Sequence, residues 1–170
     1  NIEARGNEFY NNTVGIGLYH AKAASLASIP RAEAEADRWS NIERVIAFAD
    51  VHGAYDDLKQ LLRTVGVVVT QLHWAAGTAH VVSTGDLMDR GPGSRQVMDL
   101  LMRLQTEARS AGGMLHVVLG NHEAMNLLGD LRYVTPAEFA AYAAEDPADL
   151  RDPAHPPGYF GKRAAFARDG

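Results

Sequence analysis

The sequence predicts an α/β fold, a largely parallel β-sheet with helices layered against it. Three observations point there. Short apolar, β-prone runs recur at Val45–Ala49, His80–Thr84 and Leu115–Leu119. The stretches between them carry apolar residues at helical spacing, and strands alternating with helices favour parallel pairing. Each run also ends in a polar, glycine-containing loop, at the strand end where open α/β sheets place their ligand sites. At 170 residues and 46% hydrophobic, the chain is long enough for one domain with a real core.

Residues 1–40 show no strong period. Ala21–Ser28 and Arg31–Trp39 read as short helices separated by Pro30, so this stretch is taken as an N-terminal arm or helical extension. Val45–Ala49 (VIAFA) reads as a buried strand. Ala54–Val65 follows as an amphipathic helix, with Leu58, Leu61, Leu62 and Val65 on one face. Val67–Trp74, Gly77 and His80–Thr84 suggest a hairpin that leads into a second buried strand. Ser94–Ala111 is a long helix, with Val97, Leu100, Leu101 and Leu104 in register, closed by Gly112-Gly113. Leu115–Leu119 is the third strand, and a helix begins at Glu123. Thr135-Pro136-Ala137-Glu138 reads as a capping box that opens a helix through Ala144. The stretch EDPADLRDPAHPP reads as a polar, proline-rich loop whose acidic residues are solvated.

Composition narrows the function. A formal net charge of −5 and a pI near 5.8 argue against nucleic acid as a partner, because such binders neutralise phosphates. The chain has no cysteine, which removes disulfide frameworks, thiolate zinc sites and cysteine nucleophiles. No run reaches the length of a membrane span, and the apolar stretch near the N-terminus is broken by His20 and Lys22. It is therefore not an intact signal peptide, and no membrane partner is expected. Asn11-Asn12-Thr13 fits a glycosylation sequon, a pattern too common to carry weight.

The chemistry lies at the strand exits. The first strand runs into Asp50 and His52, the second into Asp86, Asp89 and Arg90, and the third into Asn121 and His122. A single Asp or His at a strand end is more often a cap or turn residue. Three exits that agree are another matter. Oxygen and nitrogen donors without sulfur suit Mn, Fe or Zn, and imidazole argues against calcium. Arg90 carries a planar fork that pairs bidentately with phosphate oxygens. A dinuclear site would hold an attacking hydroxide and polarise phosphoryl oxygens together. His122 could protonate the leaving oxygen, with Asp89 fixing its tautomer and keeping it cationic. Glu123 fits a first-turn residue favoured by the helix dipole. His20, His73, His80, His116 and His155 lack a supporting pattern and read as surface or satisfied core residues. Met88, Met98, Met102, Met114 and Met125 read as core packing.

These motifs resemble the calcineurin-like metallophosphoesterase superfamily, in its phosphoprotein phosphatase branch. That branch carries GDxHG, GDxxDRG and GNHE in this order. Here they stand as ADVHG (49–53), GDLMDRG (85–91) and GNHE (120–123), with Ala49 where the family has glycine. The following NLLGDLRYVTPAEFAAY is similar to bacterial Shewanella-like protein phosphatases, and the resemblance covers roughly 42–168. It implies a sandwich of β-sheets flanked by helices, of which residues 41–170 form the N-terminal half. It also implies that Asp50 and His52 bind a first metal, Asp86 bridges two, and Asn121 binds the second. Arg90 would hold phosphate, and His122 with Asp89 would form the acid pair.

The implied cofactors are two divalent ions, Mn, Fe or Zn with Mn favoured. The implied reaction is hydrolysis of phosphomonoesters, phosphoproteins first, by a hydroxide that bridges the two metals. Dinucleoside polyphosphate hydrolysis is the runner-up on the same scaffold. The family uses three more metal-binding histidines and a second phosphate arginine, which this chain does not carry. A missing C-terminal half or a completing chain is therefore expected as partner. Without one, the chain would be an incomplete site that acts as a binding or regulatory module. A start without methionine, and the leader that similar bacterial proteins often carry, favour a periplasmic over a cytoplasmic location.

Overall fold

The computed structural model describes residues 39–150 and 152–166. The sequon and the two helices expected before Trp39 lie outside the described residues; Trp39 itself is not helical. Three strands, β1 (Val45–Phe48), β2 (His80–Ser83) and β3 (Met114–Val117), form one sheet in the order β1-β2-β3. Both pairings are parallel, with Val45 opposite His80 and His80 opposite Met114. Helices α1 (Tyr55–Thr64) and α2 (Ser94–Ser110) cross between them, as parallel strands require. Beyond the sheet come α3 (Asn121–Leu127), α4 (Pro136–Ala140), a 3₁₀ turn at Ala143–Glu145, and α5 (Tyr159–Ala165).

The core lies between the sheet and the first two helices. Leu58 and Leu62 of α1 and Val97, Leu101 and Leu104 of α2 pack with Val81, Leu115 and Val117. All eight are nearly or wholly buried. Their spacing of three and four residues places them on one helix face, so burial of that face, more than propensity, holds the helices. In α1, Leu61 departs from the expected apolar face and is exposed.

Several expectations change in the folded chain. Val45–Ala49 is not a buried strand: β1 is the sheet edge, with Ile46 and Phe48 on the core and Val45 62% exposed. The hairpin before β2 reduces to one antiparallel bridge, Val68 to Trp74, because β2 has a parallel partner on each side. The helix after β3 starts at Asn121 rather than Glu123. The Glu123 carboxylate reaches back to the Gly120 N–H at 2.8 Å, which starts the helix directly after the glycine. Only half of the Thr135 capping box forms. Thr135 Oγ1 accepts from the Glu138 N–H at 3.2 Å, but the Glu138 carboxylate turns inward, and α4 ends at Ala140. The acidic loop is not wholly solvated, since Asp146 accepts from the N–H groups of Gly158 and Gly161 at 2.6 and 2.8 Å. Those two bonds anchor α5, which the sequence pattern did not suggest. Among the methionines, Met88 and Met98 are buried, whereas Met114 and Met125 are only half-buried.

Candidate metal centre

The three exit loops meet at the carboxyl edge of the sheet. The loop after β1 continues the pairing past the strand: His52 N–H donates to Asp86 O and Gly53 N–H to Leu87 O, each at 2.9 Å. Contact this close depends on glycine. A Cβ on Gly53 would stand 2.7 Å from Gly91 O, and one on Gly85 would overlap the backbone of Gly120.

The backbone here is strained where the chemistry is. Asp50, His52, Asp86, Asp89 and Arg90 have φ values of 52°, 46°, 55°, 67° and 64°. The left-handed region costs a residue with a side chain about 1 kcal/mol or more, and Asp tolerates it better than Arg does. Five of the seven site residues expected from sequence adopt it. Strain of this kind persists only where surrounding bonds over-determine the turn.

Two clusters result, and they touch. Asp50, His52 and Asp86 each offer a ligand atom, all within 4.8 Å of one another. His52 Nδ1 lies 3.1 Å from Met88 O, so Nδ1 carries the proton and Nε2 presents its lone pair. An imidazole oriented by a backbone carbonyl and converging with two carboxylates fits a divalent cation. Asn121 occupies the first position of α3, exposed, one residue past Gly120, which packs against Asp86.

In the second cluster His122 Nδ1 lies 2.8 Å from Asp89 Oδ2, with the side chains 2% and 0% exposed. His122 N–H donates to Asp86 Oδ1 at 3.0 Å, and the His52 and His122 rings meet edge-on at 4.7 Å. Arg90 Nη2 stands 3.3 Å from His122 Nε2. Arginine can only donate, so His122 Nε2 is the one atom of this contact that can accept. The Tyr133 ring flanks both at the rim, 5.2 Å from the His122 ring and 5.9 Å from the Arg90 guanidinium. Its carbonyl accepts the Arg90 N–H at 2.9 Å.

All expected site residues thus lie on one edge. Sequence reasoning missed their supports. Glu123, read as a dipole residue, accepts from Asp86, Leu87 and Gly120 N–H at 2.7, 2.7 and 2.8 Å, tying the second exit loop to the third. Asn126 Nδ2 donates to both oxygens of Asp89 at 3.0 and 3.1 Å. Its place one helical turn after His122 was the available signal. Of the histidines set aside, His80 and His116 face each other at 3.1 Å under Trp39, and His155 stacks on Tyr159 at 3.9 Å.

Residues 43–163 match the family model of calcineurin-like phosphoesterases. Shewanella-like protein phosphatase 2 of Arabidopsis thaliana is 37% identical over 98 residues, 58% of this chain and 25% of that protein. A symmetrical bis(5'-nucleosyl)-tetraphosphatase of Cronobacter sakazakii is 36% identical over 104 residues, 61% of this chain and 29% of that one. The crystal structure of the cold-active protein-tyrosine phosphatase of a psychrophilic Shewanella species superposes with a TM-score of 0.62 at 36% identity. That match covers 75% of this chain and 35% of the other. The chain spans about a quarter to a third of the length of the curated relatives it matches. The matched residues make up more than half of the chain, and the chain belongs to the calcineurin-like phosphoesterase family.

Proposed function

We propose that the chain carries part of the active site of a metal-dependent phosphatase that hydrolyses phosphomonoesters of proteins. The observation that carries this reading is the contact between the Asp50, His52 and Asp86 cluster and the buried Asp89–His122 pair. Ligands for a cation beside an oriented imidazole are what phosphoester hydrolysis requires.

Asp50, His52 and Asp86 would hold one divalent ion, with Asp86 shared with a second at Asn121. Manganese suits these oxygen and nitrogen donors. When bound, the ions supply the charge that polarises phosphoryl oxygens and water at neutral pH. Arg90 takes two phosphate oxygens with its guanidinium. Turning toward phosphate frees His122 Nε2, which takes up a proton and hands it to the leaving alcohol oxygen. The phosphorus–alcohol bond breaks as a bond from water to phosphorus forms, with no phosphoenzyme; the water's proton goes to solvent, which also supplies the proton that His122 hands on. Asp89 holds the Nδ1 proton throughout.

The phosphoprotein substrate is supported by likeness to a protein phosphatase and a protein-tyrosine phosphatase. Likeness to the tetraphosphatase supports dinucleoside polyphosphates as the second reading.

The experiment uses the natural full-length protein loaded with manganese. Turnover is compared on phosphotyrosyl and phosphoseryl peptides and on diadenosine tetraphosphate, beside bound metal by elemental analysis. Asp86→Asn is expected to abolish turnover and lose metal. Unchanged turnover in that variant refutes the assignment, and turnover of the dinucleotide alone favours the second reading. Metal binding with no turnover on any substrate leaves a binding or regulatory module.

A further inference from the structure

The sheet has a second face, and its side chains take no part in the reaction above. Val81 and Leu115 pack into the core, so their strand neighbours His80, Val82, Met114 and His116 stand on the opposite face. In the pairing of β2 with β3, His80 lies opposite Met114 and Val82 opposite His116, which groups His80, Met114 and His116 together. His80 Nδ1 and His116 Nε2 are 3.1 Å apart. The Trp39 indole meets both rings at steep angles, 5.6 Å from His80 and 4.4 Å from His116. His80 is 7% exposed, and Met114 and His116 are half-buried.

A nitrogen pair at this distance can serve either of two purposes. One ring can donate to the other, with a proton between them. Alternatively, both nitrogens can turn lone pairs on one ion, since two ligands about 2.0 Å from a tetrahedral ion stand roughly 3.3 Å apart. Each neutral ring then carries its single proton on the other nitrogen, and the net charge is unchanged. Desolvation lowers the pKa of His80, so its lone pair is present at neutral pH. Among the described residues no third His, Cys, Asp or Glu joins the pair within ligand distance. The donors are therefore uncharged, and a divalent ion would bring two uncompensated charges into a largely buried place. A monovalent ion costs less there, and imidazole with thioether suits soft copper(I).

We propose that His80, His116 and Met114 form a binding site for a soft monovalent metal ion, copper(I), on the sheet face turned away from the core. The two imidazole nitrogens set the position of the ion, the Met114 thioether supplies the soft ligand, and Trp39 shields it from water. His80 begins β2 and Met114 begins β3, whereas Asp86 and Asn121 follow those strands. The site is thus separate from the centre at the strand exits, and it does not depend on the phosphatase reading.

The test uses the natural full-length protein, loaded with manganese and then titrated without oxygen with copper(I) against the coloured chelator bicinchoninate. A single copper per chain is expected, with manganese content unchanged and the ring signals of His80 and His116 shifted in NMR spectra. Silver(I) should compete for the site and zinc should not. Met114→Leu, a volume-conserving change, is expected to weaken copper binding about tenfold or more, and His116→Asn by a larger factor. If His116→Asn does not fold, Met114→Leu decides alone. No copper held against the chelator, copper that displaces manganese, or binding undiminished in either variant would overturn the proposal. Competition by zinc would overturn the choice of a soft monovalent ion.

Discussion

Replacing Glu123 with alanine removes one carboxylate and strands three backbone donors. Leu87 N–H is buried, while Asp86 and Gly120 N–H are partly reached by water. An unsatisfied donor costs roughly 2 kcal/mol when buried and about 1 kcal/mol when part-buried, so the three sum to about 4 kcal/mol. That is a large share of a domain stability of about 5–15 kcal/mol. Glu123→Gln keeps one acceptor but sets its amide against a backbone N–H, and should lose about half as much. Urea denaturation followed by circular dichroism reads the loss. With a slope of roughly 2 kcal/mol per molar urea, the midpoint of the alanine variant should drop by about 2 M. Elemental analysis of the manganese-loaded variant should show less metal, because Asp86 and the start of α3 are no longer tied together. A midpoint shift under about 0.5 M with full metal content would refute the role given to Glu123.

Gly85 has a φ of 101°, and a Cβ there would overlap Gly120 across the two exit loops. Gly85→Ala should therefore destabilise by about 3 kcal/mol and release metal; a melting temperature equal to the parent's would show that the loops have slack. His80 is buried, and desolvation lowers its pKa below the usual value of 6.5. The folded state thus disfavours the protonated ring, so His80 contributes stability that is present above about pH 6.5 and lost as pH falls toward the folded pKa. Unfolding midpoints at pH 7.5 and 5.5 should differ more in the parent than in His80→Asn; equal differences would remove His80 from the acid response.

Helix α2 and strands β2 and β3 were legible because period and burial coincide: Val97, Leu101 and Leu104 recur at helical spacing and all face one sheet. The candidate site residues were legible because they follow the strands in the chain, and strand ends are local features of the sequence. Other features depended on distant residues. Whether β1 is central or at the edge depends on which strands pair beside it, and nothing in VIAFA encodes that. Helix α5 is short, starts at a left-handed Gly158 with φ 87°, and is anchored by Asp146 through bonds that span a proline-rich loop. The contact of His122 Nε2 with Arg90, 32 residues away in the chain, forms only in the fold. Glu123 could be read locally as a helix-start residue, yet two of its three bonds reach residues about 36 positions back in the chain. By itself, then, the sequence determined the alternation of strands and helices and the residue types at the sheet's edge, since both are set within a few residues. Only the tertiary structure decided which side chains hold those residues in left-handed turns. Such bonds form between segments that meet only after the chain has folded.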